Sequence, residues 1–132
     1  MQSKILLALA LMAVAGEVTD AHHFLIASYL LDRTVVLEGT VDEFLYRSPH
    51  SYVQLKVADQ AGQIEIRTAE WGSGSQLARA GVTQTSLRPG DHVIVTGNPA
   101  RNPAERRVRM VRIVRPSDGW KWSETDSVPS KP

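Results

Sequence analysis

Cysteine is absent from this chain of 132 residues. Its absence excludes a disulfide scaffold, a thiol nucleophile and any zinc or iron–sulfur site built on thiolates. An excess of charge is missing too. Fifteen Lys and Arg against 14 Asp and Glu leave a net charge of +1, too small to argue for nucleic acid on electrostatic grounds. The longest apolar run, Ile5 to Ala15, has eleven residues, too few to span a bilayer comfortably. Catalytic signatures are lacking as well. No G-x-S-x-G elbow is present, and "GSGS" (Gly72 to Ser75) is not followed by the Lys-Ser/Thr of a phosphate loop. The chain is not expected to be an enzyme.

What is present begins with a leader. Lys4 gives a short positive region, Ile5 to Ala15 an apolar one, and small residues follow at two cleavage positions. Ala13-Val14-Ala15 has the A-x-A form, while Thr19-Asp20-Ala21 puts the cut directly before His22. Residues 1–21 are therefore expected to be a signal peptide and the protein periplasmic, with no membrane span left after cleavage. Loss of Lys4, Glu17 and Asp20 leaves 14 basic and 12 acidic side chains, a net charge of +2.

The remainder reads as strands around one short helix. "RTVVLEGTVDEFLY" alternates with Val35, Leu37, Gly39 and Val41 on one face, then slips phase near Glu43, which predicts a bulged, curling strand. "SYVQLKVAD" puts Val53, Leu55 and Val57 inward, and "IEIRTAEW" puts Ile64 and Ile66 inward. In "GSGSQLARAG", Ser73 or Ser75 can cap a short helix, Leu77 and Ala80 give it an apolar side and Gly81 can end it. "HVIVTG" and "RVRMVRIVR" supply two more strands. The order β-β-β-α-β-β predicts an all-β fold with one short helix, a five-stranded OB-fold-like Greek-key barrel over residues 34–116, with a small sandwich as the competing architecture. Residues 22–33 are expected to be an extended segment and 117–132 a flexible C-terminal tail.

Four histidines carry the chemistry that remains: His22, His23, His50 and His92. An N-terminal histidine chelates one ion with its free α-amine and its ring, and a second imidazole completes a T-shaped set suited to copper. A cut before His22 creates that chelate, and His50, in the loop between the first two strands, is the candidate second imidazole. His22, His23 and His50 are thus the candidate metal ligands. Such binding should weaken as pH falls through about 6, where protons compete for imidazole. His92, after Asp91 at a strand start, is left out of the site. Glu38 and Asp42 share a face about 13 Å apart, too far for a glycosidase pair. Arg106, Arg107, Arg109, Arg112 and Arg115 punctuate the last strand. With Tyr46, Tyr52 and Trp71 they suggest a groove for single-stranded nucleic acid, but a charged outer face explains them better, and nucleic acid is not expected as a partner.

Several of these pieces stand in a familiar order: "AHH" (Ala21 to His23), "LEGTV" (Leu37 to Val41), "SPHSYVQLKV" (Ser48 to Val57), "LARAGVTQTSLRPGD" (Leu77 to Asp91) and "VTGNPAR" (Val95 to Arg101). In that order they resemble a family of short exported bacterial proteins classed as a domain of unknown function. The resemblance runs to about Gly119. It implies an OB-like periplasmic barrel and cleavage before His22, and it pairs the "AHH" element with His50. The chain differs from the family pattern at Phe24, Ser48 and Val82, where serine, asparagine and tryptophan are usual. The leading expectation is a non-enzymatic periplasmic OB-fold binding module whose ligand the sequence does not identify. Its sharper form is a copper-binding or copper-handling protein that uses the His22 amine and ring, His50 and His23. The alternative is an envelope-stress or structural interaction protein that meets a protein or small-molecule partner on the barrel face around Tyr52 and Trp71.

Overall fold

The computed structural model describes residues 23–126; the expected signal peptide, His22 and residues 127–132 lie outside the described residues. Six strands form one sheet: β1 (Val35–Leu45), β2 (Tyr52–Ala58), β3 (Ile64–Glu70), β4 (His92–Pro99), β5 (Arg107–Arg115) and β6 (Trp120–Ser123). Residues 23–28 are helical (α1), and a second helix, α2, spans Gly74–Arg79. The strands run in the order β3-β2-β1-β4-β5-β6, and a parallel pairing of β3 with β5 closes the first five into a barrel. Its circular order, 1-2-3-5-4, with a helix between β3 and β4, is the OB-fold-like Greek-key barrel expected from the sequence. No helix among the described residues is long and apolar enough to cross a membrane.

Alternation in β1, β2, β4 and β5 builds the core. Leu37, Val41, Val53, Leu55, Val93, Val95, Val108, Met110 and Ile113 are all buried in one cluster. The phase slip of β1 is real: its register against β2 shifts between Val41 and Glu43. Gly39 sits where β1 passes close against the β2 backbone. A Cβ there would stand 2.3 Å from the Lys56 carbonyl oxygen, so glycine is required for the barrel to curl.

The plug at one end of the barrel is a local product of residues 73–82. Ser73 accepts the Gln76 N–H while the Gln76 side chain accepts the Ser73 N–H, a reciprocal capping box. At the other end Gly81, at φ +79°, donates to Ala78, and Val82 donates back to Leu77. This pair of bonds is a Schellman motif, and its apolar contact joins two buried residues, Leu77 and Val82.

Three expectations are corrected. Ile64 and Ile66 point outward, at 64% and 41% exposure, while Ala69 on the opposite phase enters the core. Alternation defines two faces of β3 but not which one is inside, and the parallel closure against β5 selects the face with small Ala69. The 22–33 segment is not extended throughout: residues 23–28 are helical, and Tyr29 then bridges to Ala100. Tyr29, fully buried, anchors this turn, and the Arg101 guanidinium bonds the Ile26 carbonyl. Within the expected C-terminal tail, Trp120–Ser123 is a sixth strand on β5. Arg115 clamps the intervening turn through Asp118 and lies over the Trp120 ring, and Trp122 packs edge-on against Trp71 with ring centroids 5.1 Å apart.

Candidate metal-binding site at the barrel rim

His50 is carried by the loop between β1 and β2, and fully buried Ser51 fixes that loop. The Ser51 N–H donates to the Gly72 carbonyl, and its own carbonyl accepts from the Trp71 N–H. Its hydroxyl accepts from the Arg47 N–H and donates to the Arg47 carbonyl, both at 3.1 Å. The imidazole, 40% exposed, therefore lies over the end of β3, with Nδ1 3.7 Å from Oε1 of Glu70. That is ion-pair reach but longer than a hydrogen bond.

Glu70 is only 5% exposed. By the alternation of β3 it shares the outward face of Ile64 and Ile66, so the barrel core does not bury it. It is covered from outside by the N-terminal strap. The Tyr29 hydroxyl donates to Glu70 Oε2, and Leu30 and Arg101 tie the strap down through the Pro99 and Ser28 carbonyls. Burial pushes the Tyr29 phenol above the ordinary tyrosine range; the hydrogen bond to Glu70 and the carboxylate charge add to this, against the opposing Arg107. Tyr52, opposite Glu70 in the β2–β3 register, is raised by burial and then by the same charge. Both phenols thus keep their protons, and Tyr29 remains a donor to the carboxylate.

The strap also brings Phe24 onto His50. The ring centroids are 6.4 Å apart with planes 29° from parallel. The structure therefore brings the chain just after the His22–His23 pair to the candidate imidazole. His23 is exposed at the start of the described residues, and His22 lies outside them. Among the described residues no group of three or more His, Asp or Glu side chains comes together to hold a metal ion. His92 is elsewhere, its Nε2 2.9 Å from Glu38 on the exposed face of β1 and β4. Asp42 faces Lys56 at 3.2 Å, so Glu38 and Asp42 serve separate surface pairs.

Beside His50 and Glu70 opens a cleft of about 1190 Å³, with Trp71, Leu77, Met110 and Trp122 along it. Trp71 is 4% exposed, packed between Phe44 and Trp122. The expected partner face around Tyr52 and Trp71 is corrected accordingly: Trp71 belongs to the core because the strand β6 covers it. Tyr46 is likewise engaged, its hydroxyl donating to the Gly74 carbonyl at 2.7 Å. The arginines of β5 are mostly spent inside the molecule. Arg107 bonds Glu105, Arg109 bonds Asn98 and Glu124, and Arg115 bonds Asp91 and Asp118.

Sequence reasoning found His50 but missed Glu70 and Tyr29. A glutamate ending a strand resembles any solvated strand residue until a separate segment is seen to cover it.

In fold the chain is similar to the mitochondrial single-stranded DNA binding protein Rim1 of S. cerevisiae. The likeness has a TM-score of 0.46 at 14% identity and covers 61% of this chain and 90% of that one. No curated protein matches the sequence. The order of motifs from "AHH" to "VTGNPAR" has its counterpart in a family match over residues 9–108, and the chain belongs to that family, the family of unknown function DUF6152.

Proposed function

We propose that this protein is a non-enzymatic binding module of the bacterial periplasm that holds one copper ion at the rim of its OB-fold-like barrel. The ligands are the α-amine and ring of His22, exposed by cleavage after Ala21, and the imidazole of His50, with His23 beside them. One observation carries the reading: Phe24 stacks on His50. Two residues of chain, at most about 7 Å, separate Phe24 from His22, so the N-terminal chelate and the second imidazole are within reach of one ion. A cysteine-free chain offers no thiolate donors, and an amine with two imidazoles suits copper.

The test is the intact mass of the protein secreted from its own leader, with and without one equivalent of Cu(II). The expected chain begins at His22 and retains one copper. His50→Ala should weaken retention at least about tenfold, the loss typical of a disturbed metal site, with the far-ultraviolet circular dichroism unchanged. A chain beginning at Gly16, or a His22 chain indifferent to copper, sinks the proposal. The cleft beside His50 supports a second reading, a module for a small-molecule or protein partner. That reading tolerates either cleavage site.

A further inference from the structure

We infer that Glu70 is the positioning residue of this site: its buried carboxylate holds the His50 ring with a protonated Nδ1 turned inward, leaving Nε2 as the metal donor. The inference rests on the copper reading for the metal and on this structure for the ring.

A carboxylate 5% exposed is costly unless its charge is compensated. Tyr29 satisfies Oε2 with a neutral donor, which supplies a hydrogen bond but no positive charge. Among the described residues, His50 is the basic side chain found within ion-pair distance of Glu70. The Arg107 guanidinium is turned to Glu105 at 2.8 Å and lies over the face of the Tyr29 ring.

The imidazole has two nitrogens, and when neutral it donates from one and offers a lone pair at the other. Oε1 of Glu70 accepts only, and it faces Nδ1. A proton on Nδ1 is attracted to that oxygen, whereas a lone pair there is repelled. The tautomer favoured beside Glu70 therefore leaves the lone pair on Nε2, on the side away from the carboxylate. A metal on Nε2 withdraws electron density from the ring and makes Nδ1–H a stronger donor. A shift of less than about 1 Å then brings the 3.7 Å contact into hydrogen-bond range. The ion supplies the positive charge that the buried carboxylate lacks, and the carboxylate in turn fixes the direction of the ligand.

Glu70 acting as a ligand itself fits less well, because Oε2 is occupied by Tyr29 and the carboxylate is shut away from solvent. The sequence gives no hint of this pairing, since Glu70 and His50 meet only after β2 and β3 have zipped together.

The experiment uses the full chain from His22, labelled with ¹⁵N. In the copper-free protein, a long-range ¹⁵N–¹H correlation reads which ring nitrogen of His50 carries the proton. Copper affinity is then measured by competition with a chelator of known strength for the native chain, Glu70→Gln and Tyr29→Phe. The native chain should show Nδ1–H. Glu70→Gln should raise the Nε2–H fraction and weaken copper about 10- to 100-fold, without changing the Cu(II) paramagnetic-resonance signature of the ligand set. Tyr29→Phe should move both readouts the same way by less, and it decides the matter if Glu70→Gln does not fold. A native Nε2–H tautomer, or folded variants with unchanged tautomer and affinity, overturns the inference. So does a changed ligand signature in Glu70→Gln, which makes the carboxylate a ligand. Nδ1–H in a native chain that takes no copper supports the hold on the ring and overturns the copper reading instead.

Discussion

Two neighbouring parts of this barrel's rim, the α2 plug and the His50 site, are built by different means. The α2 plug comes from ten consecutive residues, 73–82, and the contacts that start and stop it are local: a capping box, a Schellman motif and the Leu77–Val82 pair, with Tyr46 and Arg47 bonding it from just past the end of β1. The His50 rim draws on Phe24, Tyr29, His50 and Glu70, which belong to three separate segments of the chain. The plug buries apolar surface inside the barrel. The rim buries a carboxylate outside it, under a strap that is not part of the main core cluster. The first arrangement serves stability, since close packing of apolar side chains is where most stabilisation arises. The second spends stability on a polar constellation, which is the usual mark of a binding site.

If that division is right, damage to the plug should destabilise the fold without touching the chemistry of the rim. Leu77→Ala removes a side chain that is 2% exposed. It should cost about 2–5 kcal/mol, the transfer term together with the cavity left behind. Urea denaturation followed by tryptophan fluorescence measures it. Below the unfolding transition, copper affinity at His50 should match that of the native chain. A loss of affinity equal to the loss of stability would erase the distinction between plug and site.

The same contrast explains what could be read from the sequence. The bulge near Glu43, the Ser73 cap and the Gly81 stop each depend on residues close together in the chain, and each formed as the pattern indicates. The inward face of β3 did not. Alternation with Ile64 and Ile66 is equally strong on either phase, and the partner that chose Ala69 is β5, some forty residues away. His50 was visible because histidine is scarce and chemically distinctive. Glu70 was invisible because its meaning comes from burial, and its burial comes from Tyr29, 41 positions earlier. The helical turn at 23–28 escaped for the same reason, being held by Pro99 and Arg101 rather than by its own periodicity.

A milder break acts on the rim from the other direction. Tyr29→Phe keeps the ring in place and removes the donor to a buried carboxylate, at a cost of about 1–3 kcal/mol near neutral pH. It should also change the alkaline limb of the stability curve. The folded-state phenol is held above its unfolded value, near 10, by burial and then by Glu70. The stability this represents is complete below about pH 10 and is lost as pH rises beyond it, because the unfolded chain releases the proton first. Native protein should therefore lose stability steeply above pH 10. Tyr29→Phe should lose it less steeply, keeping only the share due to groups such as Tyr52, whose phenol is raised in the same direction. Parallel curves for the two proteins would mean that Tyr29 is not the group that sets the slope.

The smallest effect is expected from the histidine that lies outside both regions. His92 and Glu38 form an exposed pair, their side chains 54% and 61% accessible. Exposed pairs of this kind contribute roughly 0–1 kcal/mol, and the β1–β4 register that aligns them is held by backbone bonds and by the core valines on the opposite face. His92→Gln should thus shift the urea midpoint barely beyond error and leave copper retention intact. Its value is as the counterpart of His50→Ala, since both remove one partly exposed imidazole that faces a glutamate. If His92→Gln weakens copper as strongly as His50→Ala does, binding follows histidine count rather than geometry, and the rim has no privileged role. If only His50→Ala does so, what separates the two histidines is what surrounds them: a strap bearing Phe24 on one ring face, and a carboxylate buried by Tyr29 behind Nδ1.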